Sequence, residues 1–224
     1  MHKTKIIATL GPACENTSTI KQMLNSGLNV FRINASHSQN LTQIQKTIKI
    51  IRTESKKEKK SVSIMMDLGG PKIRVALPAK SANIQIKKGQ TYRVGFKKYD
   101  IPLNTKIKIL KSHKQATIKI DDGKINLKVL KSKNDYIVVC ALNDGEIIKN
   151  KGVNFPGLSL KLPAVTVLDK KNIKTAIDLG VDWIAQSFVR QPTNIYPIQR
   201  ILSKNNAQIP IIAKIETAEA IENL

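Results

Sequence analysis

The sequence predicts an α/β protein made of parallel βα units and interrupted by a small all-β insertion. Three observations lead there. Short apolar runs closed by Gly or Pro alternate with stretches whose apolar residues recur at helical spacing. From about residue 76 to residue 160 this gives way to strict apolar–polar alternation, the mark of half-buried strands. The first pattern then resumes and runs to Leu224. The expected organisation is residues 1–75 for the first part of the α/β domain, 76–160 for the β-rich insertion and 161–224 for the continued α/β domain.

Lys5–Leu10 reads as a strand ended by Gly11-Pro12. Thr17 or Ser18 can cap a helix running to Asn25, with Gly27 beyond its end. Val30–Asn34 is a second strand, and Leu41, Ile44, Ile48 and Ile51 form one face of a second helix. Val62–Asp67 is a third strand, closed by Gly69, Gly70 and Pro71. In the insertion, "NIQIKKGQTYRVGF", "TKIKIL", "ATIKI" and "INLKVL" alternate, and Asp121-Asp122-Gly123 and Asn143-Asp144-Gly145 read as hairpin turns. A small barrel or sandwich is expected. Asp169 then caps a helix ending at Gly180, Val181–Ser187 is the fourth strand, and Pro197 fits a following helix only in its first turn. Ile209–Lys214 is the fifth strand, with a fifth helix behind it.

With 224 residues, 41% of them apolar, the chain can bury a substantial core. Its formal net charge is +22 and its pI about 10.1, which makes nucleic acid or an anionic membrane surface the partners to consider first. The charge is carried by 32 lysines against 6 arginines, spread along the whole chain. Nucleic-acid readers lean on Arg and on stacking aromatics, and both are scarce here. The reading is a solvated basic surface with no specific nucleic acid. Cys14 and Cys140 stand apart, outside any metal-type spacing, and fit a reducing compartment. No signal peptide is recognised, and no apolar run approaches the about 20 residues that span a membrane. A cytoplasmic protein without a membrane partner is expected.

Two folds use parallel βα units: the doubly wound sheet and the eight-fold barrel. No Gly-x-Gly-x-x-Gly follows a strand, so a dinucleotide fold has no direct support. A barrel gathers its chemistry at the C-terminal ends of the strands. There the second strand offers Arg32, Asn34 and Ser36 at i, i+2 and i+4; the third, Asp67; the fourth, Ser187 and Arg190; the fifth, Lys214 and Glu216. Each alone reads equally well as a helix cap or a surface residue. Polar groups at four consecutive strand ends argue for one shared site. Lys and Arg can clamp phosphoryl oxygens, and a carboxylate such as Glu216 can hold Mg²⁺. Phosphoryl transfer needs mostly positioning and charge stabilisation. There is no Walker-type loop and no protein-kinase motif set, so a phosphotransferase here has another architecture.

The sequence resembles the pyruvate kinases. The matching stretches, in that family's order, are "TKIIATLGPA", "GLNVFRINASH", "DLGGPKIR", "DDGKI", "NKGVNFPG", "LPAVTVLDKKNI", "GVDWIAQSFVR" and "IIAKIE". The resemblance implies a (β/α)8 TIM-type barrel, incomplete here at about five βα units, with the β-rich insertion as a lid domain. It implies Mg²⁺-dependent phosphoryl transfer from phosphoenolpyruvate to ADP, giving pyruvate and ATP in glycolysis. Lys214 then corresponds to the lysine that stabilises the phosphoryl group in transit and the enolate, and Glu216 to one of two Mg²⁺ carboxylates. Arg32 and Arg74 correspond to phosphate-contacting arginines, and Asn34, Ser36 and Asp67 to a monovalent-cation site. "DLGGPKIRV" departs from the potassium-dependent pattern and resembles the potassium-independent branch, with the Lys72 ammonium as an internal replacement for K⁺. The resemblance covers this whole chain but about the first half of a typical member. The expectation is therefore a fragment, inactive by itself or completed by a second chain, of an enzyme commonly tetrameric. The alternatives are an inactive remnant and a basic polyanion-binding module.

Overall fold

A computed structural model describes residues 4–36, 41–78, 83–112 and 115–224. His37, which closes the stretch "FRINASH", lies outside the described residues. The chain divides into two compact units, Met1–Pro71 with Ala164–Leu224, and Lys72–Pro163.

The first unit opens with β1 (Ile7–Thr9), α1 (Thr17–Asn25), β2 (Val30–Asn34), α2 (Leu41–Lys57) and β3 (Ser63–Leu68). Asn16, not Thr17 or Ser18, caps α1: its side-chain oxygen accepts from the Thr19 N–H at 2.9 Å. Asn is as good a cap as Ser, and it stands one residue before the first helical turn. Gly27 follows the helix in the left-handed region at φ +88°.

Among the described residues, the regular elements of the second unit are all strands: β4 (Ile84–Ile86), β5 (Thr91–Phe96), β6 (Ile101–Leu103), β7 (Ile109–Ser112), β8 (Thr117–Ile120), β9 (Ile125–Ser132), β10 (Tyr136–Ala141), β11 (Gly145–Ile147), β12 (Val153–Asn154) and β13 (Leu158–Leu160). Six of them form a sheet in the order β12-β8-β9-β10-β5-β6, and β11-β4 and β13-β7 pair separately. Its core is aliphatic, with Val94, Leu103, Ile118, Leu127 and Val139 fully buried. Asp121-Asp122-Gly123 does turn β8 into β9, with positive φ at all three residues. Asn143-Asp144-Gly145 is not a hairpin turn. β10 pairs with β9 and β5, and the strand that Gly145 opens pairs with β4 instead. The cause is side-chain tethering. Asn143 accepts from the Asn126 N–H and donates to the Lys124 carbonyl, and Asp144 accepts from the Lys88 N–H.

The first unit resumes with α3 (Val167–Asp178), β14 (Trp183–Val189), a 3₁₀ turn (Pro192–Asn194), α4 (Tyr196–Lys204), β15 (Ile211–Ile215) and α5 (Ala218–Glu222). Asp169 is not the cap of α3. Thr166 is, and Asp169 sits at N3, where it completes a capping box: its N–H bonds to the Thr166 hydroxyl and its carboxylate accepts from the Thr166 N–H. Pro197 lies in the first turn of α4, the one place a helix accepts it.

The sheet of this unit runs β1-β2-β3-β14-β15, every neighbour pair parallel. Phe31, Ile33, Ile64, Met66 and Ile184 from the strands share one core with residues of α1, α2, α3 and α4. A doubly wound sheet reverses its strand order partway and takes helices on both faces. This order never reverses, which fits a partial TIM-type barrel wound in one direction. Among the described residues, no helix is long and apolar enough to cross a membrane.

Candidate functional site

The helix side of the sheet is apolar, so polar residues on alternate strand positions face the other way. Thr9, Arg32 and Met65 share one register level across β1, β2 and β3, and Asn34, Asp67 and Ala185 share the next. The C-terminal ends of the strands meet on Asp67.

Asp67 is the hub. Its side chain is only 3% accessible, and every group around it donates. Arg32 Nε bonds to Oδ2 at 2.8 Å, and Nη2 bonds to the same oxygen. Lys214 Nζ lies 3.1 Å from both carboxylate oxygens, and the Ser187 hydroxyl donates to Oδ1 at 3.3 Å. Burying a carboxylate is costly unless it is paired and hydrogen-bonded, and here it is both. Arg32 is further oriented by Thr9, whose hydroxyl accepts from Nη1 at 2.9 Å.

Lys214 also donates to Ser187 Oγ at 2.8 Å and lies 3.3 Å from Glu216 Oε1. The other oxygen of Glu216 accepts from the Phe188 N–H at 2.9 Å. Phe188 has φ +56°, a left-handed conformation unusual for a bulky residue. It sits where the pairing of β14 with β15 slips, between Gln186 and Val189. Backbone strain of this kind collects at functional sites. Gly69 and Gly70 let the loop after β3 run close to both neighbouring strand ends. A Cβ on Gly69 would stand 3.2 Å from Ser36 Cα, and one on Gly70 3.0 Å from the Ser187 carbonyl.

The structure thus brings together Arg32, Asp67, Lys214 and Glu216. Asn34 and Ser36 are neighbours at the end of β2, where Asn34 Oδ1 accepts from the Ser36 N–H at 3.0 Å. Arg74 and Lys72 belong to the second unit. There Arg74 Nη1 donates to the Asn150 carbonyl at 2.7 Å, its backbone bridges to Gly152, and Lys151 between them pairs with Asp121 at 3.0 Å. The hydrogen bond from Lys124, then that from Lys151, holds the Asp121 carboxyl below the usual carboxylate range. Thr9, Phe188 and Lys151 were not singled out from sequence, and Asp121 only as part of a hairpin turn. Only the motifs around them gave a signal.

Chemically, Asp67 is enclosed and saturated, so it orients other groups. Arg32, Lys214 and Glu216 keep between a quarter and a third of their side chains open to solvent, so they can meet a ligand. Two cations that share one carboxylate can turn to a phosphoryl group without moving their backbones. Among the described residues, no group of three His, Cys, Asp or Glu converges as a metal cage. Glu216 offers one carboxylate. That suits Mg²⁺, which commonly takes one or two protein carboxylates and fills its shell with waters and substrate phosphates.

Residues 1–224 match the family model described as "Pyruvate kinase, barrel domain" over their whole length. A pyruvate kinase of Staphylococcus saprophyticus subsp. saprophyticus is 36% identical over 234 residues, covering 100% of this chain and 39% of the relative. One from Bacillus licheniformis is 36% identical over 235 residues with the same coverage. One from Thermotoga maritima is 35% identical over 231 residues, covering 100% of this chain and 49% of the relative. The chain spans about two fifths to one half of the length of the curated relatives it matches.

Proposed function

The chain belongs to the pyruvate kinase family, and on that premise we propose that its site serves Mg²⁺-dependent phosphoryl transfer from phosphoenolpyruvate to ADP, giving pyruvate and ATP. The observation that carries this reading is the meeting of Arg32 and Lys214 on Asp67, with Glu216 at 3.3 Å from the lysine. Lys214 supplies positive charge to the phosphoryl group in transit and to the enolate oxygen left behind. Arg32 and Arg74 contact phosphates. Asp67, with Ser187, keeps the Lys214 ammonium at the strand end. Glu216 is the protein carboxylate for Mg²⁺, and the Phe188 N–H keeps it turned towards the site. Bound Mg²⁺ would neutralise phosphate charge during transfer.

Asn34, Ser36 and Asp67 form the position read as the family's monovalent-cation site, and Lys72 is its internal replacement for K⁺. What supports K⁺ independence is that Arg32 and Lys214 already balance the charge of Asp67 from within the chain, while the part given to Lys72 rests on the motif around it. The strand-only unit, residues 72–163, is the family's inserted lid domain. The complete enzyme is a cytoplasmic, glycolytic homo-oligomer, a tetramer by family pattern. The chain spans at most about half of the length of its relatives, and the whole protein is the unit proposed to carry the activity.

The deciding experiment follows pyruvate formation, coupled to NADH oxidation, with the protein as isolated from its source. Activity is expected to require Mg²⁺, to be unchanged by K⁺ in sodium-free Tris buffer, and to fall about 10²–10³-fold in Lys214→Met, as for the loss of one transition-state donor. Equal rates for the variant and the parent would overturn the assignment.

A further inference from the structure

The strand-only unit holds a cleft that the phosphoryl-transfer reading does not use. It has a volume of about 800 Å³, within the range of small-molecule sites, and all its lining residues lie between Phe96 and Pro163. One wall is apolar, built from Phe96, Tyr99, Ile107 and Leu162. The rim carries Lys98, Lys106, Lys108 and Lys161.

Two features mark it as more than a gap between loops. The first is the seating of Tyr99. Gly95 in β5 leaves the space its ring occupies, since a Cβ there would stand 2.4 Å from the ring. The Tyr136 ring supports it with centroids 5.0 Å apart, and its hydroxyl donates to Asp135. That bond engages the one acid of the lining and pushes the phenol up to about 12, so Tyr99 stays neutral at physiological pH. The second feature is charge. The Lys161 N–H donates to the Lys108 carbonyl at 2.8 Å, which sets two like charges side by side just beyond the paired ends of β7 and β13, an arrangement that costs stability without a counter-charge. Among the described residues, Lys106, Lys108 and Lys161 have no carboxylate partner.

We propose that this cleft binds a small phosphorylated compound with a planar ring, the ring lying on the Phe96–Tyr99 wall and the phosphate between Lys106, Lys108 and Lys161. Leu162 and Pro163 line the cleft immediately before the chain returns to the first unit at Ala164. A bound ligand therefore also holds one of the two segments through which the chain passes between the units. The site is independent of the phosphoryl-transfer assignment.

The test is a titration of the ¹⁵N-labelled 224-residue protein with 1-naphthyl phosphate, followed by amide NMR. Saturable shifts are expected at residues 95–99, 106–108, 134–136 and 161–162. The double variant Lys106→Gln/Lys108→Gln should weaken binding at least about tenfold, as should Lys161→Gln in its own right, since a charged hydrogen bond contributes on that scale. Lys214→Met should bind as the parent does, which separates this site from the strand-end site. Shifts confined to Arg74, Asp121 and Lys151, unchanged affinity in the lysine variants, or equal binding of inorganic phosphate alone would each overturn the proposal.

Discussion

The two units put their polar chemistry in opposite places. In the barrel-sheet unit, buried side chains include Glu54, Asp67, Asp169, Gln186, Ser187 and Asn194. In the strand-only unit, every buried side chain among the described residues is apolar. Yet that unit carries more of the net charge, with 20 of the chain's 38 basic residues and only 6 of its 16 acidic ones. Net charge therefore does not point to the strand-end site. A buried carboxylate with four hydrogen-bond donors points to it far better, because such a group is tolerated only where its surroundings are built for it.

The contrast can be broken most directly at Asp67. Asp67→Ala leaves Arg32 and Lys214 without their shared partner and should cost about 3 kcal/mol, the low end for a broken buried pair because both cations reach solvent. Urea unfolding gives the loss. Hydrogen exchange should assign it to β2, β3 and β15 and leave β8–β10 unchanged. A loss below about 1 kcal/mol would mean that Asp67 is no hub. Next in size is Gly70→Ala, which forces a side chain into φ +64° against the Ser187 carbonyl and should cost about 1–3 kcal/mol by the same assay. Thr166→Ala removes the capping box of α3 and should cost about 1 kcal/mol, detectable as faster exchange in the first turn of that helix.

The smallest effect belongs to the strand-only unit and depends on pH. The Tyr99 phenol rises from 10.0 to about 12 in the folded protein, through its hydrogen bond to Asp135 first and burial second. A raised value means stability fully present below pH 10 and lost as pH climbs from 10 towards 12. The melting temperature should decline across that window, and Tyr99→Phe should flatten the decline. Tyrosinate absorbance reaching its full amplitude near pH 10 in the folded parent would contradict it.

Much of this was legible beforehand because it is written locally. The βα alternation, the break at the insertion and the polar residues at the ends of the second to fifth strands of the α/β domain are all patterns within a few positions. What escaped was set by register between distant segments. Thr9 reaches Arg32 across 23 positions, and Ser187 reaches Asp67 across 120. The Asp169 misassignment is instructive, since a capping box puts a good capping residue at both N-cap and N3, and periodicity cannot choose between them. Asn143-Asp144-Gly145 has hairpin composition, but its side chains tie it to neighbouring loops and send the chain to another partner. The strain at Phe188 left no trace in composition.

β3 pairs directly with β14 within one unit, although residues 72–163 of the other unit come between them in the chain. On a ribosome that order becomes a delay. At about 5–20 residues per second, roughly 5–20 seconds pass after the third strand is made before the fourth begins to emerge. Arg32 and Asp67 are both made before that interval, while Lys214 follows 147 positions after Asp67. The strand-only unit has time to fold before the sheet receives its next strand, and the cluster around Asp67 gains Lys214 only when β15 follows.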